Sequence, residues 1–335
     1  MTTYLAALAT TSALALSTGL AHAEDIRIRV STLSEASGMG RLTNLEAAAN
    51  VMNAQFAAAG IDKTVVVELA SSGAKGWDDL ALENLKALAV GQGPDVSVLA
   101  HEWVGQYAKA GYAMDMGPQI AAKPWVYDDI LPVLWDAAKG ADGKIYGIPQ
   151  DAEIRMFFYN KDMLRKIGKD EAFVDGLPAA VEAGSFTLDD LTALSKEVVD
   201  AGAARYGMLH RPNVGIDYLM VFQSYGVRFL DPQTGKLVFP KAQMKAALGW
   251  YERNARQGVT PSDNTAMSWD SIQGAFKQEQ AFVFHQGVWA VAWQLGEGKG
   301  ATWPTDAKGY FDKIGWLPAP AAEKGGAPVN LSCIR

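Results

Sequence analysis

Apolar and polar positions along this chain fall into short runs whose period switches repeatedly between two and about 3.6. From Ile26 to Thr32 charged and apolar residues alternate, which predicts a strand. Leu42 to Ala59 repeats at helical spacing and stops at Gly60, a residue suited to the left-handed position after a helix. Thr64 to Ala70 is a β-branched strand, and Trp77 to Val90 a helix ending near Gly91 and Gly93. Val96 to Leu99 reads as a short buried strand, and Glu102 to Ala110 as a helix closed by Gly111. Strands alternating with helices predict an α/β domain with a largely parallel sheet, whose functional loops lie beyond the carboxyl ends of the strands.

The stretch from Lys144 to Lys166 organises the remainder. A strand over Ile145 to Ile148 precedes Pro149, the acidic residues Asp151 and Glu153, and a second apolar run from Ile154 to Tyr159. A proline between two strand-like runs argues against one continuous central strand. The chain is therefore expected to leave one sheet and enter another here, with acidic side chains at a crossing between domains, where ligands commonly bind. After Asn160-Lys161-Asp162 a helix begins, and Thr187 to Asp190 opens another of capping-box type that runs to about Ala201. Further on, the pattern predicts a strand over Arg205 to Leu209, a helix over Gly215 to Tyr225, and a hairpin turn at Asp231 to Gly235 between 228–230 and 237–239. A long helix, Lys241 to Gln257, has Leu248, Tyr251 and Ala255 on one side, and Ser268 caps a helix to about Gln278. A strand over Ala281 to His285, a helix over Gly287 to Leu295 and a strand over Ile314 to Leu317 complete a second α/β domain.

Composition narrows the function classes. The 335 residues, 49% of them hydrophobic, suffice for about two domains. Lys and Arg number 30 against 37 Asp and Glu, a net charge of -7, which argues against nucleic acid as a partner. The single cysteine, Cys333, excludes a disulfide framework and a cysteine-rich metal site. Residues 1–23 read as a secretory signal peptide: Leu5 to Leu20 is apolar or small, and Ala21-His22-Ala23 fits a small-x-small cleavage site, although no Lys or Arg precedes the apolar run. No other stretch approaches the ~18 apolar residues of a membrane span, so a soluble, exported protein is expected. Nucleophile elbow, P-loop, His-Glu-x-x-His and Cys-x-x-Cys patterns are all missing. His101, His210 and His285 lack helical spacing and read as core or rim residues; no metal and no cofactor is expected. Ten tryptophans serve either a core or the flat faces of a ligand.

Four blocks follow in order: Gly93-Pro94-Asp95-Val96 followed by Ala100-His101-Glu102-Trp103 and Tyr107-Ala108; Phe157-Phe158-Tyr159-Asn160 with Leu164 and Lys166; Phe284-His285-Gln286-Gly287-Val288-Trp289; and Trp316-Leu317-Pro318-Ala319-Pro320. Together they resemble the bacterial extracellular solute-binding proteins of sugar ABC transporters. Met156 departs from the pattern, which prefers a small residue there. Family chains continue beyond the equivalent of Arg335, so a C-terminal truncation is expected, with part of each lobe absent. The resemblance implies a two-lobe α/β binding-protein fold of type II, each lobe a mostly parallel sheet flanked by helices. Lobe 1 is expected over 24–152, lobe 2 over 153–313, and a return segment over 314–335.

Sugar recognition needs aromatic faces against C–H faces and planar polar groups against hydroxyls, because an unmet hydroxyl costs free energy. By the resemblance, Glu102 and Trp103 fall on sugar-contacting positions, although Trp103 replaces a basic residue and Leu99 replaces a stacking Trp; a plain helix start is the alternative. Glu153 falls on a family carboxylate that hydrogen-bonds sugar, or else is a solvated hinge residue. Asp151 and Arg155 share its strand face by period two, and Arg155 either touches ligand or pairs with a carboxylate. Trp289 falls on the stacking Trp of lobe 2, where Gly287 lets the backbone approach closely; the alternative is a core Trp packed with Trp293. Ser72 in a Gly-rich turn, and Asn213 and Asp217 at a helix start, are weaker candidates.

The resemblance implies the high-affinity, periplasmic, monomeric carbohydrate-binding component of an ABC importer. It would close on a sugar by a hinge and deliver it to membrane permease subunits, with no catalysis. Two alternatives remain open. One is a secreted glycoside hydrolase in which Glu153 pairs with Asp151 or Glu102. The other is an importer component for a polyol, glycerol phosphate or ferric ion. Adjacent tyrosines are absent, which disfavours iron, and only Lys75 and Arg155 are expected near the cleft to meet a phosphate.

Overall fold

The computed structural model describes residues 24–34, 36–70, 73–213, 215–291 and 306–335. The expected signal peptide, Ser72 and Trp293 lie outside the described residues. The chain packs as two units divided between Leu99 and Ala100. The expected lobe boundaries after 152 and 313 therefore fall inside the second unit.

In the first unit, β1 (Glu24–Ser31), α1 (Ala36–Ala58), β2 (Lys63–Leu69), α2 (Trp77–Ala89) and β3 (Val96–Ser97) alternate as the periodicity predicts. The sheet order is β2-β1-β3 with both pairings parallel. Helix α1 begins six residues before the predicted Leu42, because it runs through Gly40, a poor helix former that masks the start in the sequence. Gly60 follows it with φ 67°, the left-handed conformation expected of a helix stop. Val30, Leu42 and Val98 form the small core, with Trp77 packed against it and the Arg41 guanidinium 5.2 Å from the Trp77 ring centre. Buried Ser31 donates to Asn84 Oδ1 at 2.9 Å, so the polar groups inside this core are paired.

The second unit opens with a 3-10 turn (His101–Trp103) and α3 (Val104–Lys109), which together replace the single helix predicted over Glu102 to Ala110. After α4 (Gly117–Ala122) the predicted strand at Ile145 to Ile148 does not form; an isolated bridge joins Ile145 to Lys139. Gly147 and Pro149 interrupt it, and a two-residue stretch cannot sustain a ladder. The crossing strand is β4 (Ala152–Asn160). Its first residues pair antiparallel with β8 (Ser332–Ile334), and its later residues with β6 (Ala281–Gly287) and β7 (Ile314–Leu317). The change of sheet thus falls at Ile154–Arg155 rather than at Pro149. The alternation of β4 places Phe157 and Tyr159 in one core and Phe158 in another, so both faces are buried.

β5 (Tyr206–Leu209) extends the sheet beside β6 in parallel, giving the order β5-β6-β4-β7. Helices α5 (Lys161–Lys166), α6 (Glu171–Glu182), α7 (Leu188–Asp200), α8 (Asp217–Ser224), α9 (Lys241–Arg256), α10 (Trp269–Lys277) and α11 (Ala307–Lys313) surround it. Thr187 and Asp190 form the predicted capping box of α7, and Ser268 caps α10 through the Ser271 N–H. The buried side of α9 is Ala247, Trp250 and Asn254, one position away from the predicted Leu248-Tyr251-Ala255 stripe. The predicted hairpin reduces to a bridge between Leu230 and Leu237, because no third strand supports it. Among the described residues no helix is long and apolar enough to cross a membrane.

Candidate functional site

Strand β4 and the start of α8 converge on Arg155. The strand repeat of two puts Glu153 and Arg155 on one face, and the register sets Arg155 opposite Gly287 of β6. Arg155 is only 4% exposed. Its Nε donates to Asp217 Oδ1 at 3.0 Å, and its Nη1 donates to the Glu153 carbonyl at 3.0 Å. The Glu153 carboxylate lies 3.8 Å from the same nitrogen. Asp217, 2% exposed at the first position of α8, also accepts from Arg211 Nη1 at 2.6 Å, so one carboxylate bridges two guanidinium groups. Groups this desolvated persist only when their charges are met, and breaking one pair costs far more than an exposed pair would.

The Trp289 ring lies 4.6 Å from the Arg155 guanidinium carbon, a cation–π contact worth ~1–2 kcal/mol where water is excluded. A Cβ on Gly287 would meet the same ring at 1.7 Å, so a side chain there would displace the indole. The predicted close approach at Gly287 is thus made by the protein's own tryptophan. Trp289 is half-buried, with Arg155 against its ring.

Asp151 and Glu102 lie beside β8 and Arg335. Arg335 pairs through Nη1 with the Glu153 carboxylate. Its carbonyl accepts from the Asp151 N–H at 3.1 Å, and its N–H donates to the Asp151 carbonyl at 3.2 Å. Glu102 Oε2 lies 3.6 Å from Cys333 Sγ and 3.4 Å from His101 Nδ1. His101 Nδ1 accepts from the Ile334 N–H at 3.2 Å. Cys333 is buried, and desolvation pushes its thiol up to about 11. Trp103 is half-buried, its Nε1 without a hydrogen-bond partner among the described residues.

Glu153, Arg155, Asp217, Gly287 and Trp289 therefore form one cluster. Asn213 joins its edge, accepting from Arg211 Nε at 3.4 Å, while Asp151 sits beside Arg335. Glu102 faces His101 and Cys333 instead, and Ser72 lies outside the described residues. Sequence reasoning missed Arg211, which joins Asp217 and Asn213 and lies 5.7 Å from the Trp269 ring centre. Its position at the end of β5, two residues before Asn213, was an available signal. Arg211 and Arg335 stand beside Arg155 in this cluster, paired with Asp217 and Glu153. A separate recess of about 420 Å³ opens among His210, Asn213, Tyr218, Tyr251 and Asn264, and neither Arg155 nor Trp289 lines it. Chemically, the Arg155 cluster offers guanidinium N–H donors, carboxylate acceptors and an indole in a low-water setting, the donor–acceptor mixture that hydroxyl-rich ligands need.

Residues 41–332 match the model of the bacterial extracellular solute-binding protein family. The maltotriose-binding protein of Pyrococcus abyssi is 24% identical over 217 residues, which cover 63% of this chain and 41% of that protein. A binding protein of Brucella abortus is 26% identical over 208 residues, covering 46% of its length, so the chain spans less than half of these curated relatives. Among solved structures, maltose-bound MalE3 of T. maritima superposes with a TM-score of 0.69 at 18% identity, covering 92% of this chain and 70% of that one. A solute-binding protein of Agrobacterium radiobacter K84 in complex with ribitol gives a TM-score of 0.65 at 19% identity, covering 93% and 70%. At these identities the structural likeness establishes the fold, the two-lobe type II binding-protein architecture.

Proposed function

The chain belongs to the bacterial extracellular solute-binding proteins, and from that membership we propose that it is the carbohydrate-capturing component of an ABC import system. In this reading it is exported, binds a sugar or polyol, and hands it unchanged to membrane permease subunits. The match over residues 41–332 carries the proposal. The maltotriose, maltose and ribitol named for its relatives support a hydroxyl-rich ligand.

Glu153, at the edge of the cluster, would hydrogen-bond a ring hydroxyl, with Asp151 and Asn213 at the margins, while buried Arg155 and Asp217 would brace it. The indole of Trp289, held over Gly287, would supply an apolar face. Arg155 stacked on that indole holds the ring in place, so little side-chain entropy is lost when ligand binds. A role for Trp103, Glu102 and Ser72 in ligand contact forms part of the same proposal at its periphery.

A thermal-shift scan against mono- and oligosaccharides, polyols and glycerol phosphate tests the reading. A ligand that binds only the folded protein raises the midpoint by mass action, ~2.7 kcal/mol at 100 times Kd. A rise confined to one sugar or polyol class is the expected result. A flat response across the panel from a cooperatively melting protein would overturn it.

A further inference from the structure

His101, Glu102 and Cys333 bring three different donor atoms together from segments 231 residues apart: Nδ1, Oε2 and Sγ all lie within 4.8 Å of one another. Among the described residues this is the grouping of three or more His, Cys, Asp or Glu side chains close enough to share an ion. A tetrahedral zinc holds nitrogen and oxygen at ~2.0 Å and sulfur at ~2.3 Å, which separates nitrogen from oxygen by about 3.3 Å and sulfur from oxygen by about 3.5 Å. The observed separations are 3.4 Å for His101 Nδ1 to Glu102 Oε2 and 3.6 Å for Glu102 Oε2 to Cys333 Sγ.

We propose that His101, Glu102 and Cys333 form a binding site for a borderline-soft divalent metal ion, Zn²⁺ or a congener, with a fourth position left to solvent.

The local structure prepares each donor. The Ile334 N–H points at His101 Nδ1 at 3.2 Å, so the ring proton sits on Nε2 and Nδ1 carries the lone pair a metal requires. Metal binding displaces that weak amide contact. The pairing of β8 with β4 sets Cys333 opposite Glu153, fixing the backbone that presents the thiol. Glu102 is half-exposed, so an ion can enter from its side without unfolding the strand. When the ion binds, the Cys333 S–H bond breaks, a metal–sulfur bond forms, and one proton leaves to the buffer. The mixed N, O and S set favours zinc or cobalt over calcium or magnesium, which take oxygen donors.

The test uses the whole chain, stripped with a chelator and titrated with Co²⁺. Saturation near one equivalent is expected, with a thiolate-to-cobalt charge-transfer band in the near ultraviolet and the visible bands of a tetrahedral ion, both abolished by Zn²⁺. Calorimetry with Zn²⁺ in two buffers of different ionisation heat should show about one proton released per ion. Cys333→Ser should remove the charge-transfer band, and Glu102→Gln, which alters a half-exposed side chain, should weaken Co²⁺ binding ~10-fold or more while the metal-free melting midpoint stays put. A saturated spectrum without the thiolate band, or Glu102→Gln binding Co²⁺ as tightly as the parent, would overturn the site.

Discussion

Replacing Asp217 by asparagine keeps the side-chain shape but removes the charge that bridges Arg155 and Arg211. The Arg155 guanidinium is 5% exposed and the Asp217 carboxylate 2%, with Nε to Oδ1 at 3.0 Å. Removing one member of a pair this buried typically costs ~3–5 kcal/mol, because the remaining charge stays desolvated. Arg155 would retain the Glu153 carbonyl at 3.0 Å and the face of Trp289, which places the expected loss near the low end, ~3 kcal/mol. For a domain of this size that corresponds to a fall in Tm of roughly 6–12 °C. Urea denaturation at pH 7 reads it directly, and the loss should persist at high salt, since screening acts weakly on buried pairs. The double variant Arg155→Met with Asp217→Leu removes both charges, and its cost should fall short of the summed single variants by ~1 kcal/mol or more. A loss under ~1 kcal/mol for Asp217→Asn, or strict additivity in the double variant, would refute the view that this carboxylate anchors the cluster.

Three further outcomes follow from other parts of the fold. Trp289→Ala should weaken sugar binding by ~1–3 kcal/mol in a fluorescence or calorimetric titration, and unchanged affinity would remove its proposed contact. Thr187→Ala should lower unfolding free energy by ~1 kcal/mol, because the capping box of α7 loses its hydroxyl; a neutral effect would mean the Asp190 side chain caps alone. His285, stacked on Phe157 with ring centres 4.2 Å apart, has its pKa lowered by burial to about 4. The unfolded ring titrates near 6.5, so the neutral ring's contribution is complete above that pH and is lost as pH falls from about 6.5 towards 4, up to ~3 kcal/mol. Denaturation at pH 7 and pH 4.5 should therefore show a smaller acid loss for His285→Phe than for the parent, and equal losses would contradict the assignment.

The parts of the fold legible in the sequence are those whose signals are local. The Thr187–Asp190 cap, Ser268 before α10, Gly60 after α1 and the apolar run of β4 each carry their instruction within a few residues. Elements that depend on distant partners are not legible in this way. Ile145 to Ile148 has strand-like composition but gains only one bridge, and Leu230 to Leu237 lacks a third strand. On α9 the tertiary neighbour decides the inward face: Trp250 Nε1 donates to the Leu188 carbonyl at 3.2 Å, which turns Trp250 inward and leaves Leu248 exposed. The same holds for the site. Glu153 and Arg155 share a face by strand period, so their proximity was readable. Arg211 meets Asp217 across the β5–α8 loop, and Cys333 meets Glu102 across most of the chain, contacts that no spacing rule encodes.

The proposed function stands or falls most directly on an isothermal titration of the whole chain with the sugar or polyol that shifts its melting midpoint most. The account predicts saturation near one ligand per chain, weakening on Glu153→Gln and on Trp289→Ala, with the ligand recovered chemically unchanged. Absence of saturable binding to any hydroxyl-rich ligand, or release of cleaved product during the titration, would contradict it.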